Sequence, residues 1–367
     1  MPRPTIQSVT TAPVMPRVRD FTTPRPPSVR VEFDVRTVYD FLFSLGGDAG
    51  ESEDLPVADR AWLTEARSGI GRGAADPECA DLSHLAIMLA GLAVDRPEIR
   101  MAADFVRLVD SMPADALVRA VFAEDLREPA TAALATRALQ HDPAAIAEFV
   151  AGHLDDGGSD RPDVMASLLR DPAPTIGDIR ALLAAWLPRF QPIEPRILAM
   201  LERDVALRAA DRRTLSPAEL IEATTGGIRW PGEAAVTRVI LAPSYFNRPY
   251  NYLLGGADWR LYGYPIADAA LDAADPMAPP PDVVRLHRAL GDETRLRILR
   301  LLRDRDLYLT EIAGLVELSK PTIKHHLALL RAAGLVTVTD EGGMTYYTLR
   351  RDRLDAGSAE LKRFLLG

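Results

Sequence analysis

Lys320, Thr322, Lys324 and His325 fall within six residues of the stretch LSKPTIKHHLALLRAAGLV, and each of these side chains can donate a hydrogen bond. Donors at the start of a helix, together with the free amides of its first turn, suit phosphate oxygens and the base edges of a major groove. Ser319 is placed to cap that helix, and Pro321 is tolerated in its first turn because the amide it removes would be unpaired. At about 100° per residue, Ile323, His326, Leu327 and Leu330 share one stripe, while Pro321, Lys324, His325 and Ala328 face the other way. Adjacent histidines diverge by the same angle, so the pair does not suit one metal ion; His325 reads as a contact and His326 as a packed side chain.

A second group is aromatic. Eight of the 23 aromatic residues lie between Trp230 and Tyr264, where Tyr245, Asn247, Arg248, Trp259 and Tyr262 could line an apolar pocket with a polar anchor for a small-molecule effector. The competing reading is an ordinary sheet core, since aromatics favour strands. Signatures of catalysis are missing: no GxSxG elbow, P-loop, HExxH or dinucleotide fingerprint occurs, so the chain is not expected to be an enzyme. With one cysteine, Cys79, and histidines scattered at 84, 141, 153, 287, 325 and 326, neither a metal site nor a cofactor is expected.

The elements that position the basic helix follow in order. PDVVRLHRALG predicts a helix ending at Gly291; Asp292 caps the next, GDETRLRILRLLRDRD; and Thr310 opens a third, TEIAGLVE. The fourth runs from Ser319 to about Gly334. LVTVT and MTYYTLR flank DEGG and predict a hairpin. Helix, turn, helix and hairpin make a winged helix.

Charge separates this segment from the rest. Residues 281–367 carry 15 Lys+Arg against 12 Asp+Glu, whereas the whole chain has a net charge of −9. Any nucleic-acid contact is therefore expected at the C-terminal end. The prolines of LDAADPMAPPPD make a semi-rigid spacer. The expected organisation is a disordered proline-rich tail over 1–28, an α+β domain for sensing and dimerisation over 29–271, a linker over 272–281 and a winged helix over 282–367. Met15 is an alternative start. SVRVEFDVRTVYDFLFSL predicts a strand leading into a helix, residues 80–210 are mostly helical in pattern, and two or three antiparallel strands are expected from Trp230 onward around Gly255-Gly256. The fold class expected is α+β, predominantly helical. No apolar run reaches membrane-spanning length and no secretory signal is evident, so a cytoplasmic protein is expected.

Residues 282–350 resemble the ArsR family of bacterial winged-helix repressors, through ALGDETRLRILRLL (289–302) and LSKPTIKHHLALLRAAGLV (318–336). The resemblance implies a homodimer on an inverted-repeat operator in double-stranded DNA, repressing transcription until an inducer alters binding. Carried over by position, Ser319, Lys320, Thr322, Lys324 and His325 begin the recognition helix and Arg331 approaches the DNA backbone. Many relatives place arginines at the wing tip, where this chain has Asp340 and Glu341. Arsenic-sensing relatives place cysteines where Tyr308 and Thr310 stand, and the final stretch lacks the histidines of zinc-type relatives. A non-metal signal entering through the upstream domain is the remaining expectation. That domain resembles, less specifically, uncharacterised actinobacterial-type regulators through PSYFNRP and LYGYPI. An enzyme fused to a DNA-binding module and a winged helix used for protein docking are the alternatives.

Overall fold

Strand β1 (Arg30–Phe33) runs directly into helix α1 (Thr37–Phe43), as the alternation and then the apolar run of this segment predict. This computed structural model describes residues 29–46, 54–68, 70, 77–127, 129–155, 162–272, 279–341 and 344–366. The tail expected over 1–28, most of the linker expected over 272–281 and the wing-tip glycines lie outside the described residues.

After α1 the chain is helical for most of its length. The helices are α2 (Val57–Ser68), α3 (Pro77–Met88), α4 (Gly91–Val94), α5 (Ala102–Ser111), α6 (Ala114–Val121), α7 (Ala123–Arg127) and α8 (Ala132–Ala138). They continue as α9 (Pro143–Asp155), α10 (Pro162–Arg170), α11 (Pro172–Phe190), α12 (Glu194–Leu207), α13 (Asp211–Thr214) and α14 (Pro217–Thr225). The ends of α14 show how sequence sets such boundaries. Ser216 and Glu219 form a reciprocal capping box, Pro217 takes the first turn, and Gly226 ends the helix at φ 69°.

All of these helices lie in the crossover between two neighbouring strands of one sheet. Its order is β1–β3–β5–β4, with β3 (Arg238–Ser244), β4 (Tyr252–Gly255) and β5 (Trp259–Pro265). β1, β3 and β5 are parallel, and only β4 is antiparallel to β5. The antiparallel arrangement expected from Trp230 onward is thus confined to one hairpin. The reason is burial on both faces, which favours parallel pairing. Ile240, Ala242 and Leu261 face the helical core with Trp186 and Phe190, while Val239, Leu241, Tyr262 and Tyr264 face a second core built with Leu220, Ile221 and Trp230.

At the carboxyl end of β3 the fully buried Asp40 of α1 ties helix to sheet. It accepts hydrogen bonds from the Ser244 hydroxyl (2.6 Å) and from the amides of Tyr245 (2.8 Å) and Phe246 (3.0 Å). Burial pushes its pKa up to about 6, against the opposing pull of those donors.

The C-terminal module contains α15 (Pro281–Leu290), α16 (Glu293–Leu301), β6 (Leu307–Tyr308), α17 (Leu309–Val316), α18 (Lys320–Ala332), β7 (Val336–Glu341), β8 (Met344–Leu349) and α19 (Arg351–Leu366). Asp292 caps α16 by accepting from the Arg295 amide at 2.9 Å. Helix α17 begins at Leu309, one residue before the Thr310 expected to open it, because the Glu311 carboxylate satisfies the Tyr308 amide (3.1 Å). Leu286, Ile298, Ile312, Ile323, Leu327, Leu330 and Leu335 form the core. A β-carbon on Gly357 would lie 1.8 Å from a Leu286 methyl, so this glycine is what lets α19 lie on α15.

The module is fastened to the upstream region. Its sheet has the order β2–β7–β8–β6, and β2 (Ile228–Arg229) comes from the chain just after α14. β2 pairs in parallel with β7, Ile228 opposite Val338 and Arg229 opposite Thr339, and the Val338 amide donates to the Gly227 carbonyl at 2.8 Å. Arg285 of α15 reaches Asp54 (2.7 Å) and Asp268 (3.4 Å).

Candidate nucleic-acid interface

Helix α18 is held by a buried stripe and leaves its opposite face open. Ile323, Leu327 and Leu330 are fully buried, whereas Lys320, Pro321, Thr322, Lys324 and His325 are exposed. Ser319 is the N-cap: its hydroxyl accepts from the Thr322 amide at 3.3 Å and lies 2.7 Å from the Thr322 hydroxyl. Glu317, in the left-handed region at φ 59°, reverses the chain between α17 and α18. Ser319, Lys320, Thr322, Lys324 and His325 therefore sit together at the open end of one helix. They form a row of donors beside the Lys320 amide, which neither the Ser319 cap nor Pro321 removes from the first turn.

His326 is half-buried with Nδ1 3.8 Å from Asp292, and desolvation holds its pKa below the ordinary histidine value. It belongs with the packed stripe, as the helical spacing predicts.

Arg331 lies apart from the exposed row. It is half-buried near Tyr347 of β8 and Tyr250 of the upstream region, and desolvation lowers its pKa from the usual guanidinium value. The backbone-contact role implied by position thus meets a side chain turned toward the junction with the upstream region. Seven residues beyond Lys324, about two turns and roughly 10 Å along α18, it returns to nearly the same angular position, so distance along the axis separates it from the exposed row.

Basic side chains without a motif add to this surface. Arg297, Arg300, Arg303 and Arg305 surround a groove of about 580 Å³ floored by Leu301 and Leu315, next to Glu317 in the turn. Arg297 pairs with Glu293 and Arg303 with Asp304, whereas Arg300 and Arg305 make no ion pair among the described residues. The sequence shows these arginines only as the polar side of an amphipathic helix; their meeting beside the turn depends on how α16 packs on α17. The side chains of Asp340 and Glu341 lie outside the described residues.

The five residues expected to line an effector pocket do not converge. Tyr245 is buried, donates its hydroxyl to Asp59 and has the Arg196 guanidinium 5.7 Å from its ring centre. Arg248 is buried and donates to the Ile266 carbonyl and to Asp268, and Asn247 donates to the Gly263 carbonyl at 3.0 Å. Tyr262 packs into the second core. Trp259 lines a cleft on the helical side of the sheet. Trp259 and Tyr262 are three apart on one strand, and period-two alternation sends them to opposite faces.

Among the described residues no group of three or more His, Cys, Asp or Glu side chains is arranged to hold a metal ion, and no helix is long and apolar enough to cross a membrane.

Residues 292–338 match the family model described as bacterial regulatory protein, arsR family. The cadmium resistance transcriptional regulatory protein CadC homolog of Staphylococcus aureus is 37% identical over 71 residues, which span 19% of this chain and 59% of that protein. The HTH-type transcriptional regulator CmtR of Mycobacterium tuberculosis is 38% identical over 84 residues, 23% of this chain and 71% of CmtR. A solved structure of HlyU from Vibrio cholerae N16961 is 35% identical and covers 23% of this chain and 94% of its own, with a TM-score of 0.20. The remainder of the chain has no family assignment.

Proposed function

We infer that this chain, which belongs to the arsR family of bacterial regulatory proteins, acts in the cytoplasm as a repressor that binds an inverted-repeat operator as a homodimer and answers a non-metal signal received by its N-terminal region. The carrying observation is the exposed row Lys320, Thr322, Lys324 and His325 on a helix whose other face is buried. Such a helix enters a major groove by its N-terminal half. Pairing of two copies is supported by apolar surface at the end of α19, where Phe364, Leu365 and Leu366 are exposed. Regulation from upstream is supported by β2, because any movement of the α14–β2 segment pulls on the wing strand β7. A signal that favours another placement of β2 then shifts the population competent for DNA.

Selection of bound duplexes from a random pool by the full-length protein tests this. The expected result is an inverted repeat with half-sites about ten base pairs apart, centre to centre. Recovery of no preferred sequence by folded protein would defeat the reading and leave the docking-module alternative. An enzyme fused to a DNA-binding module is the other alternative, and it would show turnover independent of DNA.

A specific consequence concerns Lys324. Its replacement by alanine is expected to weaken operator binding about tenfold and to lower the slope of log affinity against log salt by about one, as loss of a phosphate contact does. Lys320→Ala is expected to relax sequence preference. Both side chains are exposed, so thermal melting should stay unchanged. Fluorescence anisotropy with a labelled operator and a base-substituted operator at several salt concentrations reads affinity, slope and preference, and unaltered affinity and preference in both variants would remove α18 from the interface.

A further inference from the structure

β1 is the outer strand of the upstream sheet, and its free side is open among the described residues. In its parallel register with β3 the Arg30 amide donates to the Thr237 carbonyl (2.9 Å) and the Asp34 amide to the Leu241 carbonyl (3.0 Å). The backbone groups of residues 30, 32 and 34 therefore face β3, and those of Val29, Val31 and Phe33 point the other way. No donor or acceptor among the described residues meets them.

The side chains alternate in step. Val29, Val31 and Phe33 are half-buried against the core of Leu220, Ile221 and Trp230, and Arg30 and Glu32 lie on the opposite face. The exposed Arg30 guanidinium lies 3.2 Å from the Glu32 carboxylate, and Arg238 of β3 lies 3.9 Å from the same group. An open edge is a template for another strand, and charged side chains normally oppose such pairing. Here the two charges have opposite signs and stand two residues apart, which makes the edge complementary to itself.

We propose that β1 pairs antiparallel with β1 of a second copy of this chain, about a two-fold axis at Val31. That register sets Val31 opposite its own counterpart, Val29 opposite Phe33 of the partner subunit, and Arg30 opposite Glu32 of the partner subunit. The outward backbone groups of Val29, Val31 and Phe33 then exchange hydrogen bonds, and the charged residues face one another in the closer, non-hydrogen-bonded pairs. Shifting the axis by one residue either way sets glutamate against glutamate or arginine against arginine, so charge selects the register. The result is an isologous interface that joins the two upstream sheets edge to edge.

This surface is separate from the end of α19 and goes beyond the operator reading, since it needs no DNA. Two self-complementary surfaces on one chain either share a two-fold axis or carry assembly past a dimer. Cross-linking at the axis reads β1 pairing in both cases.

The test is oxidation of full-length Val31→Cys in a Cys79→Ser background, followed on a non-reducing gel. In the hydrogen-bonded pair at the axis the two α-carbons stand about 5.5 Å apart, within the span of about 4.4–6.8 Å that a disulfide accepts. The expected result is a linked pair of chains that forms at least about tenfold faster than from Arg107→Cys, an exposed position on α5, in the same background. Adding Arg30→Glu or Glu32→Arg makes the facing charges alike and should slow the link about tenfold in each case. Mixed together, with one carrying a tag that shifts its mass, these two variants present opposite charges at every facing pair. They should link to each other at least as fast as Val31→Cys links to itself. If Glu32→Arg fails to fold beside Arg238, Arg30→Glu decides alone. A rate equal to that of Arg107→Cys, or no effect of charge reversal, overturns the proposal. A link that forms only after deletion of residues 1–26 overturns it too, and names the chain's own preceding segment as the occupant of the edge. Operator selection is read separately, so a chain that binds DNA without this link loses only the edge pairing.

Discussion

Valine in place of Gly227 is expected to loosen β2 from the wing and to speed hydrogen exchange at the Val338 amide by about 5- to 150-fold. Gly227 has φ 117°, and a β-carbon there would lie 3.2 Å from the Thr337 methyl and 3.3 Å from the Val336 carbonyl oxygen. A β-branched residue in that backbone region costs roughly 1–3 kcal/mol, and the clash falls on β7 itself. Burial of Ile228, worth about 1.5–3 kcal/mol, holds β2 in place and opposes its release. The strain relieved on opening, about 1–3 kcal/mol, therefore sets the acceleration, which at roughly 1.4 kcal/mol per tenfold is about 5- to 150-fold. The Val338 amide is the reporter because its partner is the Gly227 carbonyl. Amides of α18 should keep their protection, since Ile323, Leu327 and Leu330 sit in a core that β2 does not enter. Gly152→Ala, at a helical site with nothing within 4 Å, serves as the neutral control. Unchanged exchange at Val338 in folded Gly227→Val protein would mean that β2 does not hold the wing in solution.

Stability is expected to fall by up to about 3 kcal/mol between pH 4 and pH 7 through Asp40 alone. Its pKa is raised from 3.8 to about 6 in the folded protein, first by burial, while the unfolded chain keeps the ordinary value. Between those two values the folded state binds more protons than the unfolded one, so raising the pH favours unfolding. The contribution is fully present below about pH 3.8, is lost as the pH rises through about 6, and each unit of difference is worth about 1.4 kcal/mol. Urea denaturation across this range should show a steeper decline in wild type than in Asp40→Asn, which cannot ionise. The variant should also be less stable at every pH, because its amide group meets the Tyr245 and Phe246 amides, which need acceptors. Should Asp40→Asn not fold, carbon NMR titration of the wild-type Asp40 carboxyl reads the same pKa, and a value near 4 would refute the expectation.

Most of the DNA-reading module was legible because its signals are local. Ser319, Pro321 and the Ile323–Leu327–Leu330 stripe specify where α18 starts and which side it buries, and period and capping act over a few residues. Gly291, Asp292 and the strands flanking DEGG worked in the same way. The start of α17 was off by one residue, since the side chain that satisfies the Tyr308 amide belongs to Glu311, inside the helix.

The upstream region was legible as helices and strands but not as an arrangement. The aromatic run from Trp230 to Tyr264 suggested antiparallel strands and a pocket, yet β3 and β5 run parallel, with all the helices from α1 to α14 inserted between β1 and β3. Nothing within a strand encodes which distant strand it will join, because register and direction depend on burial against elements scores of residues away.

By itself, the sequence determined the identity of α18, its cap, its buried and open faces, and the contrast between a basic C-terminal end and an acidic body. The tertiary structure alone decided that a two-residue strand after α14 joins the wing sheet, that Arg331 faces the upstream region, and that Trp259 lines a cleft. The division follows from range: capping and periodicity act over one or two helical turns, whereas strand partners, desolvation and clefts arise only when distant segments exclude water together.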